Sequence, residues 1–96
     1  MLKRKGNFCT IAKTAELLSD KWTMLILRDL LKKDFRVCEL EKNLEKISTR
    51  TLANKLKKLE NQKIISKKEH GYGLTKTGKK LETVMTEMEK FGKNLA

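Results

Sequence analysis

Ile47-Ser48-Thr49-Arg50-Thr51-Leu52-Ala53-Asn54-Lys55-Leu56-Lys57-Lys58-Leu59-Glu60 is the stretch on which the reading of the chain turns. Leu52, Leu56 and Leu59 stand at i, i+4 and i+7, the spacing of one helix face. Arg50, Asn54, Lys57 and Asn61 fall on the opposite face. Ser48 occupies the N-cap position, where a side-chain oxygen can accept from an unpaired amide of the first turn. Such a helix anchors in a small core on one side and offers Arg, Asn and Lys on the other. Arginine suits the acceptors of guanine, and asparagine suits the edge of adenine, in the major groove of DNA. An ordinary solvated helix face has a similar composition, so the surroundings must decide.

On the N-terminal side, Val37, Leu40 and Leu44 recur at helical spacing and predict a short helix over 37–44. Glu45 to Ser48 leaves a brief turn, and two helices joined this way form a helix-turn-helix candidate. On the C-terminal side, Ile64-Ile65-Ser66-Lys67-Lys68 reads as a strand, Glu69-His70-Gly71 as a tight turn and Tyr72-Gly73-Leu74-Thr75 as the returning strand. A helix-turn-helix followed directly by a basic hairpin is the winged-helix order. The expected fold class is mainly α with a small β-hairpin (α+β), a winged helix-turn-helix.

Further out, Ile11, Ala15 and Leu18 share a helical face within 10–19, with Ala12 and Leu17 at its edges. From Lys21 to Lys32, Trp22, Leu25, Ile26, Leu27, Leu30 and Leu31 make a helix apolar on most sides, the expected centre of the core. Trp22 reads as core packing rather than as a ligand-stacking residue. Asp34 to Arg36 reads as a break. A long last helix begins near Thr75 or Thr77 and carries Leu81, Val84, Met85, Met88, Gly92 and Leu95 on one stripe, flanked by Phe91. That apolar face is larger than one small domain needs, and a partner helix is its natural complement. Residues 1–96 thus read as one domain, with 10–78 as the winged-helix core and 76–96 as a helix for dimerisation.

The formal net charge is +11, and its distribution is uneven. Between Lys46 and Lys80 eleven Lys or Arg face two acids, a net of +9. Concentrated positive charge is the electrostatic footprint of a nucleic-acid binder, and double-stranded DNA is the expected partner. Two cysteines 29 positions apart do not make a disulfide scaffold. No run approaches the ~18 apolar residues of a membrane span, and the basic Met1-Leu2-Lys3-Arg4-Lys5-Gly6 is not followed by an apolar signal core; no membrane association and a cytoplasmic location are expected. Proline is absent, in keeping with a mostly helical chain.

Enzymatic chemistry fares poorly. The single histidine lies at a hairpin tip, and no Ser/His/Asp or Cys/His set has a plausible scaffold. Two cysteines and one histidine are too few and too scattered for a zinc site. No glycine-rich phosphate loop exists, so neither metal nor cofactor is expected.

At this point the chain resembles the HxlR-type branch of winged-helix transcription regulators, relatives of the MarR regulators. Lys21-Trp22-Thr23-Met24-Leu25-Ile26-Leu27-Arg28-Asp29-Leu30 is similar to the family's KWT-led core helix, and Arg36-Val37-Cys38-Glu39-Leu40 to its RFxEL segment. The stretch from Ile47 to Glu60 resembles its recognition helix, usually ISxRTLxxxLxxLE. Tyr72-Gly73-Leu74-Thr75-Lys76-Thr77-Gly78 is similar to YxLTxxG, which closes the wing. The likeness spans about Cys9 to Phe91. It implies a homodimer on operator DNA, with the recognition helix in the major groove and the terminal helices supplying much of the dimer interface. A cysteine opening the first helix is also a family feature, and Cys9 holds that place. Three departures stand out: Thr10 follows Cys9 where the family has proline, Val37 replaces a phenylalanine as a smaller core plug, and the wing is short, with only about Glu69 to Gly71 at its tip.

The expected DNA-binding residues follow. Ser48 and Thr51, with Thr49 between them, would hold phosphate at the helix start, aided by backbone N–H groups. Arg50 and Asn54 would read bases; Lys55, Lys57 and Lys58 would touch phosphates or flank the groove; Lys67, Lys68 and His70 would bring the wing to the backbone. Steric block of a promoter, hence repression, is the default for so small a regulator, and no small-molecule effector can be named. Cys9, opening a helix with Lys5 nearby, sits where a thiol pKa tends to fall; its oxidation, with Cys38 of another subunit, would make a redox switch. The alternative is that both cysteines are small buried hydrophobes, the stronger reading for Cys38. Two rivals to a sequence-reading regulator remain: a non-specific architectural DNA-binding protein of the same fold, and a winged helix that binds a protein. The Arg50/Asn54 pair separates the first, and the basic middle of the chain argues against the second.

Overall fold

In the computed structural model, residues 9–95 are described; the basic N-terminal stretch with Lys5 lies outside them. The helices begin where polar side chains can take up their unpaired first-turn amides. Cys9 Sγ accepts from Ala12 N–H at 3.4 Å and opens α1 (Thr10–Leu18). Asp20 Oδ2 accepts from the Thr23 amide at 2.8 Å and from its hydroxyl at 2.9 Å, opening α2 (Lys21–Leu30). At the start of α3 (Val37–Asn43), Glu39 Oε1 reaches back to the Arg36 amide at 2.9 Å. Ser48 Oγ accepts from Thr51 N–H at 3.0 Å and opens α4 (Thr49–Asn61), as the sequence predicts.

The core sits among α2, α3, α4 and the base of the hairpin. Ile26, Leu27 and Leu30 enter from α2, Leu40 from α3, and Leu52, Leu56 and Leu59 from α4; Ile64, Ile65 and Leu74 close it from below. The three predicted α4 leucines are all buried, so that face of the helix is fixed against the domain. Trp22 is half-buried against this cluster, as expected of a packing residue. Val37 does not plug the core: it is 39% exposed. It opens α3, and Leu40 and Leu44 further along the helix take the inner positions. Phe35 packs against the core instead.

The hairpin pairs β1 (Ile65–Lys68) with β2 (Gly71–Leu74), Ile65 opposite Leu74 and Lys68 opposite Gly71. Its turn is therefore Glu69-His70, one residue tighter than expected, with Gly71 already in the strand. The predicted break at Asp34 to Arg36 holds a single-residue third strand. Phe35 and Tyr72 exchange both amide–carbonyl bonds, at 3.0 and 2.8 Å, and tie the hairpin to the segment before α3. The backbone of Gly71 runs at φ +122, and a Cβ there would lie 2.3 Å from the Phe35 carbonyl oxygen. Gly71→Ala therefore meets both a disfavoured φ and a backbone clash. It should destabilise the protein by more than about 1 kcal/mol, read as a lower urea midpoint. The loss should appear with weakened amide protection at Phe35 and Tyr72; an unchanged midpoint would show that this close approach is not real.

The expected single last helix is two: α5 (Lys76–Lys79) and α6 (Leu81–Leu95). Thr75 caps α5 by accepting from Gly78 N–H at 3.0 Å, and its hydroxyl donates to the Lys63 carbonyl at 2.6 Å. Gly78 is buried, with Ile64 O 2.2 Å from where a Cβ would stand. These contacts fasten α5 to the hairpin base, and the Lys80 amide closes it with a tight bond to Thr77 O. α6 follows directly after Lys80. Only Leu81 and Met85 reach the core, while Val84, Met88, Phe91 and Leu95 are exposed. At the other end, Ile11 is 80% exposed, so the apolar face of α1 is also largely uncovered. Helices α2 to α4 followed by a hairpin braced at Phe35 are a winged helix-turn-helix.

Candidate nucleic-acid interface

Burying Leu52, Leu56 and Leu59 turns the other side of α4 outward, and Arg50, Asn54, Lys57 and Asn61 are all exposed there. Lys58 is exposed beside them. Among the described residues none of these five makes a side-chain hydrogen bond or ion pair, so their donors face solvent. The helix start is otherwise engaged. Ser48 Oγ donates to Thr51 Oγ1 at 2.9 Å besides accepting its amide, and Thr49 Oγ1 donates to Glu41 Oε2 at 2.8 Å. The Thr49–Glu41 bond spans the turn and pins the start of α4 to α3.

Lys55 stands apart from the outer row. Its ammonium lies 3.3 Å from Asp20 Oδ1, and its side chain is only 28% exposed. It lies at the edge of the leucine stripe, between Leu52 and Leu59, so it turns towards the start of α2. On the hairpin, Lys67 and Lys68 are exposed on β1 and His70 is exposed in the turn. The segment that pairs with Tyr72 adds two basic residues that the sequence reading passed over. Lys33 lies 5.0 Å above the Phe35 ring, and Arg36 is exposed beside it. The alternation of Phe35 and Val37 was the only signal for that short strand, and two residues are too few to register a period.

Cys9 is half-buried at the start of α1. Cys38 is exposed on α3, so its reading as a buried hydrophobe is corrected: Leu40, two residues on, takes the inward position. Among the described residues no group of three or more His, Cys, Asp or Glu is placed to hold a metal ion.

The titration of Asp20 is displaced. Partial burial raises its pKa, but the Thr23 amide and hydroxyl and the Lys55 ammonium outweigh that and hold it below its ordinary value. A depressed pKa favours the charged form in the folded state, so its stabilisation is present above the unfolded value of about 4 and is lost as pH falls through the folded one. Asp20→Asn keeps an N-cap but removes the titration. Stability of the variant should fall less steeply than that of the parent on acidification below about pH 4, measured by urea unfolding at several pH values. Parallel curves would show that Asp20 contributes no such term.

A family profile described as HxlR-like helix-turn-helix matches residues 17–96. The chain belongs to this family. It is 34% identical over 94 residues to the HTH-type transcriptional regulator sll1512 of Synechocystis, covering 91% of this chain and 70% of that protein. It is 31% identical over 86 residues to the HTH-type transcriptional regulator YvaP of Bacillus subtilis, covering 82% of this chain and 80% of that one. The quinone-bound form of YodB from B. subtilis superposes with a TM-score of 0.82 at 29% identity, over 88% of this chain and 97% of YodB. The HxlR-like chain is thus a transcriptional regulator of helix-turn-helix type and not an enzyme. Its family implies DNA binding. No helix among the described residues is long and apolar enough to cross a membrane.

Proposed function

We propose that this HxlR-like regulator is a cytoplasmic homodimer that reads a specific operator and represses by occupying it. The observation that carries the proposal is the outward row of Arg50, Asn54 and Lys57 on a helix whose opposite face is fully buried. Arg50 and Asn54 read base edges, and Lys57 and Lys58 flank the groove. Lys67, Lys68 and His70 bring the hairpin to the adjoining backbone. Ser48, Thr49 and Thr51 keep the helix start in place, so that its amides meet phosphate. Phosphate contacts supply most of the affinity and make it fall steeply with salt; base contacts supply discrimination. The uncovered faces of α1 and α6, with Ile11, Met88, Phe91 and Leu95 exposed, support pairing of two chains through their terminal helices.

Redox response through Cys9 belongs to the same reading. Support comes from its position at the start of α1 and from YodB, which is known in reduced and diamide-treated forms. Exposed Cys38 is the second thiol available to a switch. Unchanged DNA affinity, and no disulfide-linked dimer after peroxide, would remove this part.

The test is selection from randomised double-stranded DNA by the purified protein at about physiological salt, with sequencing of the bound pool. An enriched palindrome is the expected result. Tight binding without enrichment would favour a non-specific architectural protein, and absence of binding would favour a protein partner.

A further inference from the structure

We infer that Lys55 is a positioning residue: its ion pair with Asp20 sets the roll of α4 against the start of α2, and so the direction in which Arg50 and Asn54 point. This rests on the reading of α4 as the base-reading helix.

Four observations carry it. Lys55 is the one basic residue of α4 that is not exposed; Arg50, Lys57 and Lys58 all are. Its anionic partner is held in place beforehand, because Asp20 Oδ2 takes two bonds from Thr23 and leaves Oδ1 towards Lys55 at 3.3 Å. The buried apolar residues that α2 and α4 bring to the shared core are leucines and an isoleucine, whose packing is non-directional and tolerates rotation about the helix axis. Finally, α4 has a second polar tether at its first residue, where Thr49 donates to Glu41 of α3 at 2.8 Å. Thr49 and Lys55 are six residues apart, about 9 Å along the axis. Two directional tethers to two different helices, separated along the axis, fix roll as well as tilt. A single tether would leave rotation to the leucines alone.

The rival assignment gives Lys55 to a DNA phosphate, with Asp20 merely in the way. Charge and positioning then predict different signs. Removing an acid from a DNA-binding protein should tighten binding, and removing a base should weaken it. If the pair positions α4, losing either member weakens binding. Lys55→Met keeps the aliphatic stem without the charge. Asp20→Asn keeps the α2 cap, since asparagine caps as well as aspartate.

Affinity of the parent, both single variants and the double variant is measured over a range of salt, on the operator enriched from the random pool and on an unrelated duplex. The expected result is a loss of about two- to fivefold on the operator for both single variants, the scale of a partly exposed pair. The double variant should be no worse than either one. Operator-to-random discrimination should fall, and the salt slope of Lys55→Met should match the parent. Tighter binding by Asp20→Asn, or a salt slope shallower by about one in Lys55→Met, would overturn the proposal. Amide spectra of the free variants separate its failure from failure of the base-reading assignment. With or without any DNA binding, both substitutions should shift the amides of Arg50 and Asn54 on α4. Changes confined to the neighbourhood of each substituted residue would overturn the positioning role.

Discussion

Leu52→Ala should remove about 2–5 kcal/mol of folding stability, the largest loss expected from a single change on α4. Leu52 is fully buried and sits one turn from Leu56, so truncating it opens a void between α4 and the rest of the core. A domain of this size has about 5–15 kcal/mol to lose in total, and a core this small sits low in that range. The variant should therefore melt well below the parent and be partly unfolded at moderate urea. Protein concentration has to be held constant, because a dimer adds its own term to apparent stability. Lys57→Ala, on the outward side of the same helix, should change stability by no more than about 0.5 kcal/mol. A loss below about 1 kcal/mol for Leu52→Ala would mean that the inner face of α4 is not packed as described, and the outward direction of Arg50 and Asn54 would go with it.

The contrast between those two sides was legible because a helix face is written in spacing. Three leucines at i, i+4 and i+7 and a serine before them fixed the α4 start and its buried side, and both are found where expected. The hairpin was legible for the same kind of reason, since Gly71 and the charged tip mark a turn. What could not be read was whatever depends on a partner distant in sequence. Phe35 becomes a strand only because Tyr72 lies opposite, 37 positions later. Val37 kept its helical spacing but stands at the rim, because spacing says which face a residue is on and not how far the core extends. The last helix breaks at Lys80 because Thr75 and Gly78 are fastened to the hairpin base, and nothing local announces those contacts. Lys55 looked like one more groove lysine until Asp20, 35 positions earlier, came within 3.3 Å. Cys38 needed the depth of α3 to be placed, and a two-residue offset from Leu40 put it outside.

Arg50→Ala should cost about 1–3 kcal/mol on the enriched operator, or roughly five- to 150-fold in affinity, and much less on unrelated DNA. Arg50 lies in the first turn of α4, the part of a recognition helix that reaches base edges, and its guanidinium is exposed. A guanidinium can donate two parallel bonds to the acceptors of one guanine, and no water molecule restores that geometry once the side chain is cut back. Loss of charge alone would weaken binding on every sequence by a similar factor. Arg50→Lys tests the difference, because it keeps the charge and discards the planar fork. It should retain most of the affinity for unrelated DNA while losing discrimination at one base pair of the site. Neither variant should lower stability measurably, since this exposed side chain makes no hydrogen bond or ion pair among the described residues. If Arg50→Ala weakens operator and unrelated DNA equally, Arg50 acts as a phosphate contact. Sequence reading would then fall to Asn54 and to the shape of the DNA at sites that the short hairpin touches.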